Sequence, residues 1–169
     1  MRLLIIRHGI AEDKEEWAKT GHSDDERPLT NEGRRKMAQN AKGIQRAIDS
    51  VDLLATSPLV RARQTAQIVA DALKATRIET TKALVPDAPM KEFVEWLGRH
   101  AELKVVAAVG HEPHLGTLAP WLMTDIEDSR VELKKGAACL LEFDGKPESG
   151  SDRLCWSIAP AQLRDLAGH

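Results

Sequence analysis

Residues 1–10 read MRLLIIRHGI, an apolar run from Leu3 to Ile6 that passes directly into Arg7, His8 and Gly9. An apolar run without alternation is the pattern of a strand covered on both faces, so residues 2–6 are expected to form a buried strand. Such strands belong to mostly parallel sheets flanked by helices, with "RHG" at the carboxyl end of the first strand.

The same order recurs further along. "VDLLA" (51–55) predicts a second strand, and "TSPLVRARQT" (56–65) turns it into a helix in which Pro58 suits the first turn and Ala62, Ala66, Val69 and Leu73 form the buried stripe. "LKVVAAVG" (103–110) is the clearest buried strand. It runs into "HEPHLGTLAPWLM" (111–123), a helix opened by Pro113 with Leu115, Leu118 and Leu122 toward the core. Between these blocks, Met37, Ala41, Ile44 and Ile48 repeat at helical spacing behind Thr30 as N-cap. A weak strand at 77–80, a loop marked by Pro86 and Pro89, and a helix carrying Phe93, Val94 and Leu97 complete the middle third.

The last third changes character. Residues 130–160 read as a hairpin between about Ala137–Phe143 and Arg153–Ile158, joined by a turn rich in glycine, proline and serine. The fold class is therefore α/β, mainly parallel with an antiparallel component. Residues 11–29 are polar and read as a solvated loop or frayed helix.

The chain has 169 residues and is 42% hydrophobic, which suits one domain with a real core. With 24 Lys and Arg against 26 Asp and Glu, the formal net charge of -2 lacks the basic footprint of a nucleic-acid or membrane-surface partner. No signal-peptide pattern or long apolar span is present, so a cytoplasmic protein is expected. Cys139 and Cys155 both lie in apolar stretches and read as buried free thiols. No oligomeric contact is legible; a monomer is the expectation.

In an open, mostly parallel sheet, ligands bind outside the carboxyl ends of the strands. Three strand ends here bring Arg7, His8, Ser57, Arg61 and His111 to one edge. Arginine forks match phosphoryl oxygens, and helix N-termini add backbone donors. Histidine adds chemistry, because a neutral imidazole attacks phosphorus and its adduct is labile to water. His8 reads as the nucleophile. Gly9 would let the backbone approach the transferring group. His111, if protonated, would stabilise charge on the equatorial oxygens.

Other assignments compete at several positions. Ser57 serves either as a helix cap or as a phosphate contact. His111 and His114 form an H-x-x-H pair, but no further ligand completes a metal set, and His114 reads as a helix-surface or pocket-rim residue. Arg34, Arg35 and Arg63 read as surface charges. Trp96, Trp121 and Trp156 fit core packing, while Trp17 could line the pocket mouth.

"RHG" (7–9), "RPLTNEGRRKM" (27–37), "SPLVRARQTA" (57–66) and "GHEP" (110–113) together resemble the signature blocks of the histidine phosphatase superfamily, also called phosphoglycerate-mutase-like. The short length and "CWSIAPAQL" (155–163) resemble its small SixA-type phosphohistidine phosphatases. The resemblance implies a three-layer α/β/α sandwich whose mixed, mostly parallel sheet has one antiparallel strand. It also implies a phosphohistidine on His8, a phosphate pocket of Arg7, Arg61 and His111, and no metal or other cofactor. Where many members carry an acidic general acid, this chain has "ALVPDAPMKEF" (83–93); Asp87, Glu12 or no residue at all fills the role. A phosphoramidate leaving group needs protonation less than an alkoxide does. The expected substrate is thus a phosphohistidine protein, with a small phosphomonoester or pyrophosphate-type compound as the alternative and a non-catalytic phosphate-binding module as a third reading.

Overall fold

The computed structural model describes residues 1–128 and 131–168. Its centre is a six-stranded sheet in the order β3-β2-β4-β1-β5-β6. The strands are β1 (Arg2–Arg7), β2 (Leu53–Thr56), β3 (Ile78–Thr80), β4 (Val105–Gly110), β5 (Ala138–Phe143) and β6 (Asp152–Ile158). The β1–β4, β4–β2 and β2–β3 pairs are parallel, whereas β5 runs antiparallel to both β1 and β6. One strand of six is therefore reversed, and the sheet is the mixed, mostly parallel one that the sequence implied.

Among the described residues the α-helices are α1 (Lys14–Ala18), which buries no residue, and α2 (Asn31–Ala47), α3 (Val60–Leu73), α4 (Met90–Gly98), α5 (His114–Thr124) and α6 (Pro160–Ala167), which contribute to the core. Alternation along the buried strands sorts the core into two layers. Leu3 and Ile5 of β1, with Val106 and Ala108 of β4, pack against α4 and α5 through Phe93, Leu97, Leu115 and Leu118. Leu4 and Ile6, with Val105, Ala107 and Val109, face α2 and α3 through Met37, Ile44, Ala62 and Val69. Because both faces bury apolar side chains, β1 and β4 carry unbroken apolar runs.

Thr30 caps α2 as expected, its hydroxyl accepting the Gly33 N–H at 2.8 Å. Two glycines allow α2 its close contacts. A Cβ at Gly33 would collide with the Ile10 carbonyl beside the "RHG" turn, and one at Gly43 with the Leu163 carbonyl of α6.

Helix α6 is the element that periodicity missed. It is eight residues long and buries only Leu163, too short a stripe to register; Pro160 at its N1 position was the available signal. Residues 11–29 are also more ordered than a solvated loop. Asp13 caps α1, a 3-10 turn spans Asp24–Glu26, and a bridge between Ala11 and Leu29 closes the excursion. Cys139 is buried, but Cys155 is exposed, because β6 is an edge strand with one face open to solvent. None of the helices among the described residues is long and apolar enough to cross a membrane.

Replacing Gly43 by Ala is expected to push α6 off α2 and to cost about 1–3 kcal/mol, as overpacking does. A thermal melt should record this as a fall in Tm of roughly 2–12 °C.

Candidate active site

The carboxyl ends of β1, β2 and β4 open into a cleft of about 600 Å³ whose walls include Arg7, His8, Arg61 and His111. His8 follows β1 directly, and its amide donates to the Gly110 carbonyl at the end of β4 at 3.0 Å. The two imidazoles thereby meet, with ring centroids 5.0 Å apart.

The His8 side chain is 6% exposed, and its Nδ1 lies 2.7 Å from the Gly9 carbonyl oxygen. A carbonyl only accepts, so Nδ1 carries the hydrogen and donates it, and in the neutral ring Nε2 keeps its lone pair. Burial pushes the His8 pKa down to about 3; the Gly9 bond works against this, while Arg61, Arg7 and Arg27 add to it. At neutral pH His8 is therefore an unprotonated imidazole with one nitrogen free.

His111 is 1% exposed and lies with Nε2 2.9 Å from the Ser57 hydroxyl oxygen. That oxygen already accepts the Leu59 N–H at 3.3 Å, so its own hydrogen is available to His111 Nε2 and the ring proton belongs on Nδ1. Nδ1 has no hydrogen-bond partner among the described residues. Burial, then His8 and Arg61, drives its pKa down to about 2, so His111 in this cleft is neutral rather than the cation considered above.

Arg61 is 4% exposed although it carries a full charge. Its guanidinium donates to the Asp24 backbone oxygen at 2.8 Å and pairs with the Asp24 carboxylate at 3.0 Å. Asp24 also accepts Arg27 Nε at 2.8 Å, and Arg27 spans to the Glu12 carbonyl. Partial burial opposes ionisation of Asp24, but the two arginines hold its carboxyl below the usual carboxylate range. Arg7 donates to the Leu133 carbonyl at 2.6 Å. Nε of Arg7 and Nε of Arg61 are buried donors without partners among the described residues.

Two further residues support this arrangement from behind. The Thr65 hydroxyl donates to the Arg61 carbonyl at 2.8 Å and accepts the Gly9 N–H at 3.0 Å, tying α3 to the "RHG" turn. Glu112 accepts the Leu133 N–H at 3.0 Å and so holds the carbonyl that binds Arg7; burial raises its pKa.

The structure thus brings Arg7, His8, Arg61 and His111 into one cleft. It places two other candidates elsewhere. Ser57 is fully buried behind His111, where it acts on the imidazole and also receives the Leu59 amide. Gly9 sits under α2 against Leu29 and Met37, with its N–H already engaged by Thr65. Glu12 lines the cleft, whereas Asp87 lines a neighbouring groove with His114. His114 is buried at 5% exposure instead of lying on the helix surface, because the Pro86–Pro89 loop folds over it. Trp17 donates its indole N–H to Ser23 and stacks on His22, bracing residues 11–29. Arg34, Arg35 and Arg63 are exposed as expected. Among the described residues no cluster of three or more His, Cys, Asp or Glu forms a metal site.

Sequence reasoning missed Asp24, Arg27, Thr65 and Glu112. Arg27, Thr65 and Glu112 stand inside "RPLTNEGRRKM", "RARQT" and "GHEP", so those blocks held the signal; the polar context of Asp24 held none.

The profile of the histidine phosphatase superfamily (branch 1) matches residues 3–85. An uncharacterised protein of Picosynechococcus sp. (strain PCC 7002) is 35% identical over 138 residues, covering 80% of this chain and 81% of its own length. Among solved structures, the protein histidine phosphatase SixA complexed with tungstate superposes with a TM-score of 0.82 at 24% identity, covering 96% of this chain and 99% of that one. The alpha-ribazole phosphatase of Shigella flexneri gives a TM-score of 0.73 at 19% identity, with 95% and 97% covered. A mycobacterial glucosyl-3-phosphoglycerate phosphatase gives 0.67 at 16% identity, with 94% and 98% covered. These structural likenesses are of fold, and the fold is phosphoglycerate-mutase-like. The chain belongs to the histidine phosphatase superfamily.

The depressed histidine pKa values have a stability consequence. In the unfolded chain each imidazole titrates near 6.5, so between that value and about 3 for His8, or about 2 for His111, the unfolded state binds more protons. Their contribution is fully present above pH 6.5 and declines as pH falls below it. Urea titrations at pH 7 and pH 5 should show the parent losing at most about 2 kcal/mol per histidine, and His8→Asn with His111→Asn losing correspondingly less.

Proposed function

We propose that the protein is a phosphatase that works through a phosphohistidine on His8, and that its substrate is a phosphohistidine on another protein. The observation that carries the reading is the His8 imidazole, fixed through Nδ1 on the Gly9 carbonyl so that a neutral Nε2 is left among Arg7, Arg27 and Arg61.

The Nε2 lone pair attacks phosphorus while the bond from phosphorus to the leaving nitrogen breaks, and that nitrogen takes up a proton. Water then attacks the His8 adduct, the P–Nε2 bond breaks, and inorganic phosphate leaves with His8 again neutral. Arg7, Arg61 and Arg27 stabilise the charge spread over the equatorial oxygens, and His111 supplies a neutral N–H donor. Arrival of a dianion among these groups also favours protonation of His111 during the reaction. Three arginines provide the positive charge that a divalent ion would otherwise bring, so turnover is expected without metal.

Two features favour a protein phosphohistidine. Asp87 lies in the adjacent groove and Glu12 is an exposed residue at the cleft mouth, and a weak P–N bond tolerates an acid held so loosely. The cleft also opens at Glu12, Asp13 and Lys14, which are exposed side chains rather than an enclosing lid. A small phosphomonoester is the second reading, since similar folds include phosphatases named for such compounds.

Single-turnover incubation with a histidine-phosphorylated carrier protein in EDTA should give rapid substrate loss and a transient acid-labile label on the parent, and neither with His8→Ala. Label from an aryl phosphate but none from phosphohistidine protein would move the substrate to small molecules, and no label from any donor would leave a binding module. Ser57→Ala is expected to let the His111 ring turn and to lower kcat by up to about 10²-fold, with a fall in Tm of a few degrees because the Leu59 N–H and His111 Nε2 lose their partner.

A further inference from the structure

A second groove, of about 480 Å³, continues from the cleft along α2 and α6, and it shares Arg7 and Lys135 with it. Its rim carries Lys36 of α2, Lys134 and Lys135 before β5, and Arg164 of α6, against a single acidic lining residue, Glu132. In a chain of net charge -2 this concentration of positive charge is local. Lys134 and Lys135 are exposed and form no ion pair among the described residues. Lys36 pairs with Glu32 at 2.6 Å, and Arg164 donates to Asn40 at 3.2 Å, so half of the rim is already engaged. Ile10 and Pro160 give the floor apolar character.

The groove on the other side of the cleft differs. There Asp87 and Glu127 outnumber Lys91, so the lining is weakly acidic. The phosphate site is therefore flanked asymmetrically, by a cationic groove on the α2 side and a weakly acidic one on the α5 side.

We propose that the α2–α6 groove is the docking surface for the phosphoprotein's own chain beyond its phosphorylated side chain, and that it selects a partner presenting carboxylates there. This rests on the reading of the protein as a protein phosphohistidine phosphatase. Continuity through Arg7 and Lys135 puts any polypeptide that leaves the cleft on that side directly over the lysines. Cationic side chains on three segments, Lys134 and Lys135 exposed and Lys36 and Arg164 half-buried, suit an extended acidic face, which gains mainly orientation and association rate from them. A small polyanion would instead call for buried, convergent donors of the kind seen in the cleft.

Binding and turnover separate the two layers of this argument. On a His8→Ala background, two fluorescent peptides carrying a phosphotriazole analogue of phosphohistidine are compared, one flanked by glutamates and the other by glutamines. The acidic peptide should bind at least tenfold more tightly at low salt. Lys36→Glu with Lys134→Glu should shrink that preference below threefold, as should raised salt, and the Gln pair should fall between. In the His8-containing enzyme the same two substitutions should leave aryl phosphate turnover within twofold of the parent.

Equal binding of both peptides overturns the proposal, and so does a preference that survives charge reversal or a parallel loss of aryl phosphate turnover. Pyrophosphate inhibition abolished by the charge reversal, with no peptide preference, would assign the groove to a small polyanion and also overturn it. Failure of the parent to turn over phosphohistidine protein, with the acidic preference intact, would instead sink the substrate reading and leave the docking surface standing.

Discussion

The carboxylate of Asp24 lies between two guanidinium groups, 2.8 Å from Arg27 and 3.0 Å from Arg61, and the rest of the site depends on that balance. Arginines and imidazoles are crowded at the ends of three parallel strands, where burial makes each uncompensated charge expensive. The cleft meets this constraint in two ways: the imidazoles are held neutral, and Asp24 offsets the arginines that cannot be. What remains is a cationic cleft with unspent donors on Arg7 and Arg61, which is the electrostatic complement of a phosphoryl group.

Precision in the cleft comes from groups that do not line it. Thr65 joins the Gly9 amide to the first turn of α3, Ser57 orients His111, and Glu112 holds the Leu133 carbonyl on which Arg7 rests. Each is a short link between a strand end and a neighbouring helix or loop, so the sheet's rigidity is passed to the side chains. The neighbouring grooves differ from each other chiefly in charge. The cleft is a built cavity, while the surface around it changes in charge from one side to the other.

Much of this was legible without coordinates. The unbroken apolar runs of β1 and β4 marked buried strands because both faces meet helices, and residues directly after such strands have to emerge at one sheet edge. That reasoning brought Arg7, His8, Arg61 and His111 together by topology alone. It failed where structure is set by few contacts. Helix α6 buries one side chain, Cys155 sits on an edge strand that pattern cannot tell from an inner one, and His114 is covered by a loop remote in sequence.

The sequence by itself determined the class of fold and the chemistry available at one edge, because strand burial and helix capping are local properties of residue order. Only the tertiary structure decided how that chemistry is tuned. The neutrality of His8 and His111, the pairing of Arg61 with a carboxylate 37 residues away, and the retreat of Ser57 and Gly9 behind the cleft all arise from desolvation and contact between distant segments. Those are properties of enclosed space, which no stretch of residues carries until the chain has folded around it.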